Sequence, residues 1–496
     1  MSYRTLLAWS TLAVLLGACT PGDERPRRGR GVLVIAMDSL RVDHFGAAGY
    51  DRNTTPTIDG LLEEGVWFSQ AFSAAPGIIP AHVALLTGCD PQIARQPLPS
   101  DFGFASLSKL WRVPQAAPSL AAEFLAEGFR TAAFMDHAWL APHYGFSRGF
   151  ESFQAFSGGT PLDEHDLGAG GIGRSFYHWL NSLEKDADWF AYLTVNDLER
   201  SIRVANPAWD SFFEARAELD QIPPVVRATH AFFALADGLG AMPGLSVGEY
   251  EARYDGSLRQ LDSKLKRLLA QLEAQGKRRQ TTVCLIGTFG IGFGEAGLYL
   301  DHGTLENVDL HVPWILLPAE GLDISRGLRS PHLASSLDLM PTLLELYGIE
   351  VPAGVHGVSQ IPALRKDGAA VREFAYSAGG LSQGFAVHDG RYSFSSTLPA
   401  TRGDGALKAS WYGVPEITSQ RRRMTLVDRQ PADPGAPLSP GISTALLARG
   451  EDWYTWIQHA RDALHNPEWL DPPLSASEWT ELRARDLVPP GLGPLD

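Results

Sequence analysis

Cysteine is nearly missing from this sequence. Three occur in 496 residues, Cys19, Cys89 and Cys284. They show no Cys-x-x-Cys spacing and no His/Cys cluster, so a structural zinc site is not expected. Cys89 and Cys284 leave one disulfide open in an oxidising compartment. Inside the apolar run "TTVCLIGTF", however, Cys284 reads as a buried free thiol. Positive charge is short as well: 42 Lys and Arg stand against 57 Asp and Glu, for a net −15. A phosphate backbone wants a basic face, so nucleic acid is not expected as the partner. The excess acid serves solubility. There is no internal repeat. The segment "GTFGIGFGEAG" is glycine-rich but lacks the dinucleotide spacing and its later ribose acid, and no Walker lysine occurs. What is plentiful is apolar: 44% of residues are hydrophobic and 20% charged. That predicts a packed globular protein, with room for one large α/β domain and an appendage or for two or three small domains.

The amino terminus, "MSYRTLLAWSTLAVLLGACT", has a short basic start at Arg4 and an apolar run from Leu6 to Leu16. The run is too short for an ordinary spanning helix and fits a secretory signal over 1–18. Its "LGAC" ending resembles a bacterial lipobox, which implies lipidation at Cys19 and a membrane partner through the N-terminal lipid. A plain signal peptide or an uncleaved anchor is the competing reading. Thr20 in place of Asp resembles outer-membrane sorting, so the expected location is the bacterial cell envelope, lipid-anchored at the outer membrane. Residues 19–30, "CTPGDERPRRGR", read as a lipidated tether.

"GVLVIAM" (31–37) is a continuous β-branched run and reads as a buried strand of a parallel sheet. "TPTIDGLLEEGVWFSQAF" follows with helical spacing at Ile58, Leu61, Leu62 and Gly65, with Thr-Pro as a start signal. "ALLTG" opens another helix. "SLAAEFLAEGFRTAAFM" reads as a helix closed at Gly128 and a strand, and "WFAYLTV" as a further buried strand. In "YDGSLRQLDSKLKRLLAQLEAQGK", Tyr254, Leu258, Leu261, Leu265, Leu268, Leu269 and Leu272 form one helical stripe. "TTVCLIGTF", "VPWILLP" and the helix "SSLDLMPTLLELYGI" continue the alternation. The predicted fold is α/β, a mostly parallel central sheet flanked by helices over 31–365. Over 366–496 a smaller C-terminal α+β subdomain is expected, with a hairpin turning at Asp389-Gly390, a Pro/Gly-rich loop and Trp-rich helical pieces. Trp453, Trp456, Trp469 and Trp479 suit either helices packed on the core or a carbohydrate-stacking surface. In such folds chemistry sits at the carboxyl ends of the strands, here "MDSLRVD", "NDLER" and "GTFGIGFGE".

The order of segments resembles the sulfatase family of the alkaline-phosphatase superfamily across most of the chain. The opening stretch "VLVIAMDSLRVDHFGAAGYDRNTTPTIDGLLEEGVWFSQAFS", then "PAHVALLTG", "GFRTAAFM", "YGFSRGFESF", "GEAGLYLDHGTLENVDLHVPWILL" and "SSLDLMPTLLELYGIEVPAGVHGVSQI" carry it. The resemblance implies the sulfuric ester hydrolase fold. Family members use a formylglycine made from Cys or Ser in a Cys/Ser-x-Pro-x-Arg frame, which aligns to Ile78-Ile79-Pro80-Ala81-His82. Isoleucine has no lone pair to attack sulfur or phosphorus. His82 stands at the arginine position without that residue's fixed charge and fork. At the positions of the family's metal ligands the chain has Asp38, Ser39, Thr288 and Phe289. Histidine positions of the family align to Glu199 and Ala296, whereas His302 remains at a sulfate-contacting position.

Joint loss of nucleophile and metal shell reads as a retired active site. The resemblance leaves Asp38, Ser39, His82, Glu199 and His302 as a residual pocket, either for ligand binding or as hydrogen-bonded remnants. Two functions follow. The first is a sulfatase-like envelope lipoprotein without sulfatase activity that binds a ligand or protein partner and needs no cofactor. The second is a hydrolase of sulfate or phosphate esters with a variant site and a calcium-like divalent metal on Asp38.

Overall fold

The structure, a computed structural model, describes residues 31–94, 96–97, 111–155, 168–203, 212–216, 245–295, 300, 302–379, 384–390, 392–397, 422–426 and 449. The predicted signal peptide, the tether with Cys19, Ala296, the Pro/Gly-rich stretch 429–441 and the tail tryptophans Trp453, Trp456, Trp469 and Trp479 lie outside the described residues.

The first strand, β1 (Gly31–Met37), has every residue buried. Its side chains alternate: Val32, Val34 and Ala36 enter one core layer, and Leu33, Ile35 and Met37 the other. That is why its sequence is apolar throughout, and it marks a central strand covered on both faces. Next come β2 (Val66–Phe72), a short antiparallel pair β3 (Gln96–Pro97) and β4 (Trp111–Arg112), then β5 (Arg130–Met135), β6 (Ser152–Ala155), β7 (Trp189–Val195), β8 (Thr281–Gly287), β9 (Trp314–Leu317) and β10 (Leu328–Ser335). The main sheet has the order β10-β2-β9-β8-β1-β7-β5-β6. Only β9 opposes its neighbours β2 and β8; all other pairs are parallel. The predicted mostly parallel sheet is therefore present, and β1 sits inside it with its carboxyl end at Met37 between β7 and β8.

Helices cover both faces. The long helix Val247–Ala274 starts at a capping box in which Ser246 and Glu249 satisfy each other's backbone N–H groups. It buries Tyr254, Leu258, Leu261, Leu265, Leu269 and Leu272, as the stripe predicts; Leu268 is half-buried at its edge. The opposite face holds the helices Ile78–Thr87 and Leu339–Leu346. Gly128, with φ +84°, follows the helix Leu120–Ala126, as expected.

Two sequence expectations are corrected. The helical reading from Ile58 to Gly65 and beyond stops early: the helix covers Pro56–Leu61, and "VWFSQAF" is β2. Its β-branched and aromatic residues suit the sheet. Gly65 is needed there because a Cβ would lie 2.4 Å from Leu316 O of β9. The helix expected from "ALLTG" begins a turn and a half sooner, at Ile78, with Pro80 in its first turn, where a missing N–H costs nothing.

Beyond residue 366, β11 (Ala375–Gly379), β12 (Gly384–His388), β13 (Tyr392–Thr397) and β14 (Arg422–Leu426) form a small antiparallel sheet. The β12–β13 connection passes through Asp389 and Gly390, whose φ of +85° explains the glycine. This sheet is bonded to the chain just after β2: Ala378 N donates to Ala74 O at 3.0 Å, and Ser377 Oγ to Ser73 O at 2.5 Å.

Candidate functional site

Asp38 follows β1 directly and is fully buried. Its Oδ1 accepts from Thr288 Oγ1 at 2.6 Å and from His82 Nε2 at 3.1 Å. The other ring nitrogen of His82, Nδ1, lies 2.7 Å from the Tyr192 hydroxyl. Each of these side chains comes from a different element: the end of β1, the end of β8, the Ile78 helix and the middle of β7. All four are fully buried. Burial alone would raise the Asp38 pKa, but attraction to His82 and hydrogen bonds from His82 and Thr288 outweigh it. With a smaller pull from His137, they hold the carboxyl below its usual range. Burial and the Asp38 charge push Tyr192 well above the usual phenol range, so its hydroxyl keeps its proton.

Ser39 adopts a left-handed φ of +58°, a conformation that costs a non-glycine residue roughly 1 kcal/mol. Tyr254 of the long helix holds this turn. Its hydroxyl donates to Ser39 O at 2.8 Å and accepts from Arg41 N at 3.0 Å. Glu199 is buried on the helix Asp197–Arg203, so "NDLER" runs from the end of β7 into the first turn of a helix. His302 Nδ1 lies 3.3 Å from Pro76 O, two residues before Ile78, and its ring packs on buried Phe289, 4.3 Å between centroids. Ile78, half-buried, opens its helix and packs on the core.

Thus the structure joins Asp38, His82 and Thr288 directly, sets Ser39 beside them and pairs His302 with Phe289. Sequence reading missed Tyr192, whose buried phenol needed a polar partner. It also missed Asp136 and His137, the "DH" that follows β5. Asp136 accepts from Arg200 at 2.5 Å and from Asn196 N at 3.2 Å, and burial, opposed by Arg200, pushes its carboxyl up to about 6. Cys89 and Cys284 are both buried and free, which closes the disulfide question.

Does this donor set suit the divalent cation that the fold implies? Such a cation takes about six to eight oxygens as calcium, or a near-ideal octahedron as magnesium. Here one Asp38 oxygen is already occupied by two donors. Asp38 Oδ2, Ser39 Oγ and Asn196 Oδ1 are buried oxygens that accept no hydrogen bond, two of them neutral, and the second acid of the set, Glu199, lies on the helix after β7. Phe289 contributes a ring. Among the described residues, no group of three or more His, Cys, Asp or Glu is arranged to hold a metal. The residues do not fit the cation.

The fold is that of an α/β protein of the alkaline-phosphatase type, with Asp38 and Thr288 at the carboxyl ends of neighbouring central strands. The chain belongs to the sulfatase family, whose model matches residues 30–349. It is 26% identical to arylsulfatase A of Bos taurus over 399 residues, covering 73% of each chain. It is 22% identical to a Δ4,5-hexuronate-2-O-sulfatase of Bacteroides thetaiotaomicron over 370 residues, covering 71% of this chain and 74% of that one. The solved phosphonate monoester hydrolase of Agrobacterium radiobacter shares the fold, with a TM-score of 0.62 at 17% identity, over 87% of this chain and 96% of that one.

Proposed function

We propose that this chain is a sulfatase-family pseudoenzyme. In this reading it binds a ligand or protein partner at a bacterial cell envelope, to which a lipid on Cys19 tethers it, and it does not hydrolyse sulfate esters. One observation carries the reading: the helix that resembles the nucleophile helix opens on Ile78, a side chain that packs on the core and has no atom able to attack. The enclosed Asp38–His82 contact agrees, since a reacting ester needs an open site with free donors for its developing charge. The unpartnered Asp38 Oδ2 is the observation that favours the second reading, a hydrolase of sulfate or phosphate esters with a calcium-like cation on that oxygen.

Assays of the purified full chain on chromogenic aryl sulfate, aryl phosphate and phosphonate monoesters, with and without divalent cations, decide between them. The expected result is no turnover above the buffer blank. Turnover that disappears in Asp38→Asn would overturn the proposal in favour of the hydrolase.

A further inference from the structure

We propose that the side-chain relay Tyr192–His82–Asp38–Thr288 takes over the structural work of the divalent cation, so that the protein folds and stays folded without one. The inference rests on the reading of a non-catalytic site and adds what replaced the metal.

A cation at the end of β1 would draw neighbouring loops together by collecting their oxygens. In this chain the same neighbourhood is closed by N–H and O–H donors converging on one carboxylate. Thr288 Oγ1 reaches Asp38 Oδ1 at 2.6 Å and thereby ties the end of β8 to the end of β1. His82 Nε2 reaches the same oxygen at 3.1 Å and ties in the Ile78 helix. Tyr192, 2.7 Å from His82 Nδ1, anchors that ring to β7. The backbone closes the same seams: Thr288 N donates to Met37 O at 3.0 Å, and Asp38 N to Val195 O at 3.0 Å. Four elements are therefore joined through one fully buried charge. Linked hydrogen bonds of this kind reinforce each other in a low dielectric, and removing one partner leaves a buried charge uncompensated. By the sulfatase resemblance Thr288 stands at a ligand position and His82 at the arginine position, and both now serve the relay. Thr288 is a donor to Asp38, the His82 ring meets the Tyr192 ring edge-on at 79°, with a polar partner at each nitrogen, and Phe289 packs against His302.

The test is thermal unfolding of the full chain in EDTA and in excess calcium, magnesium, manganese or zinc, with Asp38→Asn, His82→Gln and the double variant alongside. The expected melting temperature of the unaltered chain is the same in every condition. Each single variant should lower it by on the order of 5–10 °C, and the double variant by clearly less than the sum, because both break one link. A cation that raises the melting temperature, with the rise lost in Asp38→Asn, would overturn the inference, as would strictly additive losses. The cation titration needs no variant, and His82→Gln keeps a donor in place should Asp38→Asn fail to fold. Ester hydrolysis that persists in EDTA would sink the non-catalytic reading but leave this inference standing. A cation-stabilised chain without turnover would do the reverse.

Discussion

The rings of His388 and Phe72 lie face to face, 3.9 Å between centroids and 14° from parallel. They form the joint between the small C-terminal sheet and the main one. Both nitrogens of His388 are engaged, Nδ1 with Ser393 Oγ at 2.6 Å and Nε2 with Ser377 Oγ at 3.3 Å. His311 stacks on Phe72 as well, at 5.1 Å. Burial, helped by His311, drives the His388 pKa down from 6.5 to about 3.

A pH dependence with a definite sign follows. Between about pH 3 and 6.5 the unfolded chain binds a proton that native His388 refuses. Its contribution to stability is complete above pH 6.5 and is lost as pH falls through that window. Urea midpoints at pH 7 and pH 4.5 should therefore drop further for the unaltered chain than for His388→Gln, which cannot titrate. Equal drops would show that His388 contributes nothing to acid sensitivity.

Asp255 gives a second prediction. It is fully buried on the long helix and accepts three bonds of 2.7 Å, from His44 Nδ1, the Tyr50 hydroxyl and Arg52 NH1. These clamp the segment after β1 to the helix that holds the Ser39 turn. Asp255→Asn keeps the shape but removes the charge and leaves Arg52 unbalanced there. A loss of about 2–4 kcal/mol in urea unfolding is expected, with an unchanged m-value. A loss below about 0.5 kcal/mol would place the clamp among ordinary surface ion pairs.

Cys19 gives the third. If the "LGAC" ending is a working lipobox, cells fed labelled palmitate should label the chain and carry it in the membrane fraction. Cys19→Ser should remove the label and shift the protein to the soluble fraction. Label retained in Cys19→Ser would move the anchor elsewhere.

Much of the fold was legible because its signals are local. "GVLVIAM" and "WFAYLTV" are apolar on both faces and became central strands; the leucine stripe from Tyr254 became the long helix. The failures lie where tertiary contacts override spacing. Leu61 and Gly65 fit a helical period, yet Gly65 is glycine because β9 passes against it. At the site, Asp38 stood out as an acid after a strand, and His82 through the frame it interrupts. Tyr192 could not be found by that route, since its hydroxyl matters only through the approach of a helix 110 positions earlier in the chain. Nor does local sequence reveal that the second oxygen of Asp38 is left without a partner.

The placement of β1 has a consequence for how the molecule is made. Its partners are β7 and β8, with Gly31 aligned to Trp189 on one side and Thr281 on the other. No nearby segment can zip onto this strand, so the loop-closure cost of its pairing is high and folding should be slow. At about 5–20 residues added each second, "GVLVIAM" is made many seconds before "TTVCLIG". During that delay this wholly apolar strand has two open edges and no cover. Free apolar edges are templates for pairing with another chain, so the yield of folded protein should fall as its concentration rises.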